Sequence, residues 1–360
     1  MRPLLPISLF AVLTTLPFAG CGGGGGGDAP PAPPPCDADL KTCYVSPTGS
    51  NTNTGATPQD ALRTISRAAQ LALSDYTISV AAGTYPGEVT TTVTGKTPQN
   101  LRFLAAGQVV VDVRGLAGAA GFTMANSSGT VIDGFTILGG SDGGIVVKST
   151  NNNANSDGMV IRNCLINASS GDGIRIQDTS HVTVFNNLVV GNAGIGVRIG
   201  GSGSRGSANA IIVNNTIYGN GARGIEIGTT HAGSPNAYVY NNIVEDNGMG
   251  QTPAVENIKV ETNPRSDLGY SANRNLVFPA TYIPGGNGTI RGPNDVNLDA
   301  RFASPGTDFH LAAGSPAIDH GDPLDASLAS LRQFLMQRST VGGGQRDNNG
   351  VLDIGYHFVP

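Results

Sequence analysis

The chain has 360 residues, of which 13% are charged and 6% aromatic; it carries 52 glycines, no tryptophan and a net charge of −5. An acidic balance argues against a nucleic-acid partner, because a phosphate binder needs a basic stripe. Glycine, asparagine and short β-branched runs at this density argue for many short strands separated by tight turns, not for a helical protein.

From the N-terminus, MRPLLPISLFAVLTTLPFAG has a basic start at Arg2, an apolar run too short for a membrane span, and small residues before Cys21. It reads as an export signal over 1–20. Phe18-Ala19-Gly20-Cys21 resembles the bacterial lipobox, in which the Cys becomes diacylated, with Phe18 where Leu is usual. A Gly/Pro-rich stretch follows at once and reads as a tether over 21–43. The resemblance implies a membrane anchor through lipid at Cys21, and Gly22 in place of Asp implies the outer membrane; an ordinary secretory signal cut near Ala19 is the alternative. Cys36 and Cys43, seven residues apart, are expected to close a small disulfide loop in an oxidising envelope. Cys164 falls in an apolar strand pattern and reads as a small buried hydrophobe.

Residues 57–74 predict one amphipathic helix, with Thr57 as cap, Pro58 in the first turn and Leu62, Ile65, Ala69 and Leu73 on one face. It would seal the end of the structure that follows.

That structure is a repeat. Gly144-Ile145-Val146-Val147, Gly173-Ile174-Arg175-Ile176, Gly196-Val197-Arg198-Ile199, Gly224-Ile225-Glu226-Ile227 and Asn257-Ile258-Lys259-Val260 are versions of one phrase. A second phrase, ending in Asn186-Asn187, Asn214-Asn215, Asn241-Asn242 or Asn275, follows each loop. Alternation at Ile174/Ile176 gives a strand one apolar face. Such a strand is unstable singly, but stacked turns bury that face in a continuous core, which makes a parallel β-solenoid. Asn187, Asn215, Asn242 and Asn275 are expected to stack as a ladder, with Cys164 in the same column.

With these phrases on the page, Tyr44-Val45-Ser46-Pro47-Thr48-Gly49-Ser50, Ala82-Gly83-Thr84-Tyr85 and the coils resemble right-handed parallel β-helix proteins of the pectate-lyase-like superfamily. Phe309-His310-Leu311, Gly314 to Asp322 and Asp353-Ile354-Gly355-Tyr356 resemble the end module called choice-of-anchor Q in bacterial surface proteins. The fold class implied is all-β: a single-stranded right-handed parallel β-helix with an N-terminal capping α-helix and a C-terminal end module. Its segments are a cap and first coil over 44–100, the β-helix over 101–283 and the end module over 284–360. Leu324 to Arg338 reads as one amphipathic helix inserted in that module and packed on the last coil.

In this superfamily the ligand usually lies along the outward face of the first strand of each coil. Here that face predicts the column Val146, Arg175, Arg198, Glu226, Lys259, with Lys148, Gln177, Gly200, Gly228 and Glu261 beside it. Coils lie about 4.8 Å apart, so Arg175 and Arg198 would repel by about 1 kcal/mol in water unless Asp172, Asp178, Glu226 or an anionic ligand offsets them. The resemblance implies a polyuronate lyase, with Lys148 as base, Arg175 and Arg198 clamping the sugar carboxylate, Gln177, Glu226, Lys259 and Glu261 binding substrate, and Asp142, Asp172 or Asp178 holding a Ca2+ ion. The alternative is a solvated face of cross-coil salt bridges on a non-catalytic surface or adhesion protein. The chain departs from the family signatures: it lacks the Asp-Pro-His-Asp of mannuronan epimerases, the Asp-Asp with Gly-His-Gly of polygalacturonases and the carboxylate cluster of calcium pectate lyases. His181, His231, His310, His320 and His357 share no metal-ligand spacing. Asp347-Asn348-Asn349-Gly350 with Asp353 resembles a short calcium loop or a capped turn. The expected partner is an extracellular or cell-wall polysaccharide, met by a monomer on the cell envelope.

Overall fold

The computed structural model describes residues 35–358 apart from 92–97, 150–156, 202–205, 229–233, 252–255, 262–268, 280–281, 285–290 and 343–349. The signal segment, most of the tether, Cys21, His231 and most of the 347–350 loop lie outside the described residues.

The chain winds into coils of three strands. The first sheet stacks Val89–Thr90, Ala120–Ala125, Gly143–Lys148, Asp172–Gln177, Val197–Gly200, Ile225–Ile227, Ile258–Val260 and Tyr282–Pro284. Each of these pairs in parallel with the strand one coil away. The second sheet stacks Val160–Arg162, Thr183–Phe185, Ile211–Val213, Tyr238–Tyr240 and Ser271–Asn273. The third stacks Leu165–Asn167, Leu188–Val190, Thr216–Tyr218, Ile243–Glu245 and Leu276–Phe278. In the early coils a single long strand serves both: the start of Val131–Leu138 pairs with Val160–Arg162 and its end with Leu165–Asn167.

Ile145, Ile174, Val197, Ile225 and Ile258 stand in register as one inward row, each 1% exposed or less. Burying a side chain of this kind is worth about 1.5–3 kcal/mol, and stacking gives every coil the same gain. Phe103, Phe122 and Phe135 fill the early interior, their rings edge to face at 5.6 and 5.1 Å.

Two asparagine ladders stitch the corners. Asn187, Asn215, Asn242 and Asn275 each donate backbone N–H and side-chain Nδ2 to the next member, and Asp295 Oδ1 is the final acceptor. Cys164 N–H joins the column from the other end, donating to Asn187 Oδ1 at 3.0 Å. A second ladder, which the sequence reading did not single out, runs Asn192, Asn220, Asn247, Asn257. The first Asn of each pair turns the corner: Asn163, Asn186, Asn214 and Asn241 have φ between 52° and 57°, a left-handed conformation that Asn tolerates.

The glycine that opens the first four phrases is a spacing requirement. A Cβ on Gly196 would lie 2.5 Å from Ile217 Cγ2 and 2.7 Å from Gly224 O, and Gly144, Gly173 and Gly224 meet equivalent obstacles. The chain here bends so sharply from third sheet to first that a side chain would enter the core.

At the N-terminal end Cys36 and Cys43 form a disulfide. The expected single helix is instead two pieces. Thr57 caps only a 3-10 turn, Pro58–Asp60. The α-helix is Ile65–Leu71, capped by Thr64, and it buries Ile65, Ala68 and Ala69. Leu62 is buried because it bridges to Val45 as extended chain, and Leu73 is 55% exposed, off the helix altogether.

The C-terminal residues double back along the outside of the coils. Ala300, Phe302, Phe309, Leu311, Ala317 and Ile354 pack on Leu188, Val190, Ile243 and Leu276 of the third sheet. The inserted helix is shorter than expected, a 3-10 turn Ala326–Leu328 followed by Ala329–Leu335. It rests on the second sheet, not the last coil: Leu335, with Leu331, Phe334 and Met336, meets Phe185, Val213, Tyr238 and Tyr240. Three corner asparagines fasten the strap. Asn186 bonds His357 N–H and C=O, Asn214 donates to Asp353 O, and Asn241 bonds Asp322 N–H and C=O.

Candidate functional site

The solenoid has three outward faces. The apolar clusters that hold the end module draw on the second and third sheets. Tyr218, Tyr238 and Tyr240, aromatics able to stack on a sugar, belong to those covered faces: Tyr218 packs edge-on against Phe302 and Phe309, and Tyr238 and Tyr240 stack on each other beside the inserted helix. The first sheet's outward face carries the charged array.

Arg175 and Arg198 are register neighbours in adjacent coils, as are Arg198 and Glu226, and Glu226 and Lys259. Lys148 lies opposite Gln177, one column over and diagonal to Arg175. Repulsion between the two arginines is offset within the protein. Arg175 Nη2 pairs with Asp142 Oδ1. Arg198 Nε lies 3.3 Å from Asp172 Oδ2 and 3.8 Å from Glu226 Oε1. Arg223 Nη1 reaches Glu226 Oε2 at 2.8 Å and its Nε reaches Glu256 Oε2 at 2.8 Å. Lys259 pairs with Glu261, one residue past the end of its strand. Asp172 is 5% exposed and also accepts Ile195 N–H at 2.9 Å, so its charge is both desolvated and compensated.

Asp142 and Asp172, two of the suggested calcium ligands, thus face arginines. Asp178 lies past the far end of Asp172–Gln177, about 20 Å along the strand from Asp172 at 3.3 Å per residue, so the three do not converge. Among the described residues no group of three or more His, Cys, Asp and Glu is placed to hold a metal ion. His181 sits in a corner ladder, its Nε2 3.0 Å from Asn209 Nδ2.

Sequence reasoning missed Arg223 and Glu256. Their signal was present: each stands two residues before the first apolar residue of its phrase, the place Asp172 holds in its own. Because the bend brings that place back beside the strand's outward column, Arg-Gly-Ile-Glu-Ile and Glu-Asn-Ile-Lys-Val contribute two charges each to the array.

Residues 111–205 match the family described as right-handed β-helix region. No curated protein matches the chain. Among solved structures, pectate lyase Pel9A is similar in fold, with a TM-score of 0.51 at 13% identity over 79% of this chain and 92% of that one. The fold is a right-handed parallel β-helix. A rhamnogalacturonan lyase aligns at a TM-score of 0.46 and 12% identity, covering 66% of this chain and 68% of that one. The periplasmic alginate epimerase AlgG aligns at 0.37 and 13%, covering 67% and 58%.

Proposed function

We propose that this protein binds an extracellular polysaccharide along the outward face of the first sheet, between Asp142 and Glu261, and that the glycan is acidic. One observation carries the reading: the end module occupies the other two faces and leaves this one bearing charges in register from coil to coil. A repeating ligand suits a repeating surface. A uronate carboxylate competes with Asp142 for Arg175 and with Asp172 for Arg198, two cations one coil apart. Lys148, beside them, is the base available for lyase chemistry, and Gln177, Glu226, Lys259 and Glu261 line the same wall. Anchoring by lipid at Cys21 would hold this wall on the envelope, in the outer membrane.

A second reading is favoured by the ion pairs themselves. Arg175, Arg198 and Lys259 already have carboxylate partners, as on a display or adhesion surface without catalysis. The two readings separate in one experiment. The protein is incubated with a panel of polyuronates, with and without calcium, and followed for retention and for unsaturated uronate ends. Retention lost in Arg175→Ala and Arg198→Ala supports binding, new unsaturated ends lost in Lys148→Ala support a lyase, and neither retention nor cleavage leaves the display surface.

A further inference from the structure

Glu245 ends the third-sheet strand Ile243–Glu245, with Tyr218 and Phe278 as its register neighbours. Its side chain points outward, yet it is 4% exposed, because the end module lies over it. Its Oε2 accepts one bond from that module, Ala300 N–H at 3.1 Å. The groups facing it are acidic on both sides: Asp246 from its own strand end and Asp299 from the module. The nearest module cation in sequence, Arg301, directs Nη1 to Gly314 O. The ion pairs found among the described residues include none to Glu245, Asp246 or Asp299.

We propose that Glu245 is a proton-dependent latch, which holds the end module on the third sheet when protonated and loosens it when ionised. A carboxyl closed into an apolar interface between like charges favours its neutral form, and burial pushes Glu245 up to about 7 from 4.5. The docked state therefore binds more protons than the undocked one. Docking is strongest below the undocked value, weakens as pH rises between 4.5 and 7, and is level above. Each pK unit is a factor of ten, so docking weakens roughly 30- to 100-fold between about pH 5 and pH 8.

Hydrogen exchange on the full chain, corrected for the intrinsic pH dependence of amide exchange, tests this. Protection of Phe302 to Leu311 falls at least about tenfold from pH 5 to pH 8, while that of Ile174 to Gln177 holds. Glu245→Gln, whose side-chain oxygen still accepts from Ala300, keeps protection at both pH values. The same pH dependence in Glu245→Gln, or a flat profile in the unmodified protein, overturns the proposal. Asp299→Asn, at an exposed position, supplies a check that does not depend on the folding of the first variant: it moves the midpoint to lower pH, and an unmoved midpoint counts against the latch.

Discussion

Asn215 donates twice to one atom: its backbone N–H and its Nδ2 both reach Asn242 Oδ1 at 3.0 Å. Its own Oδ1 receives the same pair of bonds from Asn187, and Nδ2 also serves Val184 O and Val213 O. The residue is wholly buried, so water cannot replace what a substitution removes. Asn215→Leu keeps the volume but strands several polar groups at about 1–3 kcal/mol each. The expected loss is about 3 kcal/mol or more, read as a lower urea midpoint.

The glycine column supplies a sharper steric test. Gly196→Ala places a methyl group 2.5 Å from Ile217 Cγ2 and 2.7 Å from a carbonyl oxygen, and overpacking of this kind costs about 1–3 kcal/mol. Gly250 has nothing within 4 Å of the added Cβ. Gly250→Ala is expected to be neutral or slightly stabilising, since it restricts the unfolded chain. Thermal unfolding of the pair separates a spacing requirement from a general preference for glycine.

Ion pairs of the array differ in worth. Arg198→Met leaves the buried Asp172 carboxyl group with the Ile195 amide as its remaining bond, a loss of about 1–3 kcal/mol. Lys259→Met removes a pair between residues two apart in sequence whose partners are both partly solvated, and the change stays within about 1 kcal/mol. Adding Asp172→Asn to Arg198→Met recovers part of the first loss, which a double-mutant cycle measures.

Cys164 should be chemically silent. It is fully buried, and desolvation pushes its thiol up to about 12, which leaves almost no thiolate at neutral pH. Alkylation with iodoacetamide, read at Cys164 by mass spectrometry, is expected only after denaturant is added; labelling of the native protein would contradict the packing.

The parts of this fold that the sequence announced are those written in every coil. Alternation at Ile174/Ile176 and its counterparts fixes the interior, and strict stacking then places Arg175 beside Arg198 without further information. What stayed hidden depends on chain segments meeting at a distance. Asn186, Asn214 and Asn241 look like their ladder neighbours, yet they bind backbone 81 to 171 residues away, and no local pattern encodes that. Leu62 carries a genuine burial signal, but helical spacing and an extended bridge both place it inside. Asp142 was legible as a carboxylate near the array; its pairing with Arg175 follows from the bend between sheets, which no composition describes.

The strap of C-terminal residues makes the length of the stack measurable from outside. Interior coils repeat one corner pattern, each passing on the acceptors it received until Asp295 ends the first column. The fastenings at Asn186, Asn214 and Asn241 fall one to a turn, like holes in a belt. Excising one whole turn would leave a sound column with its buckle a notch out of place, so the number of turns is counted by the part of the chain that does not wind.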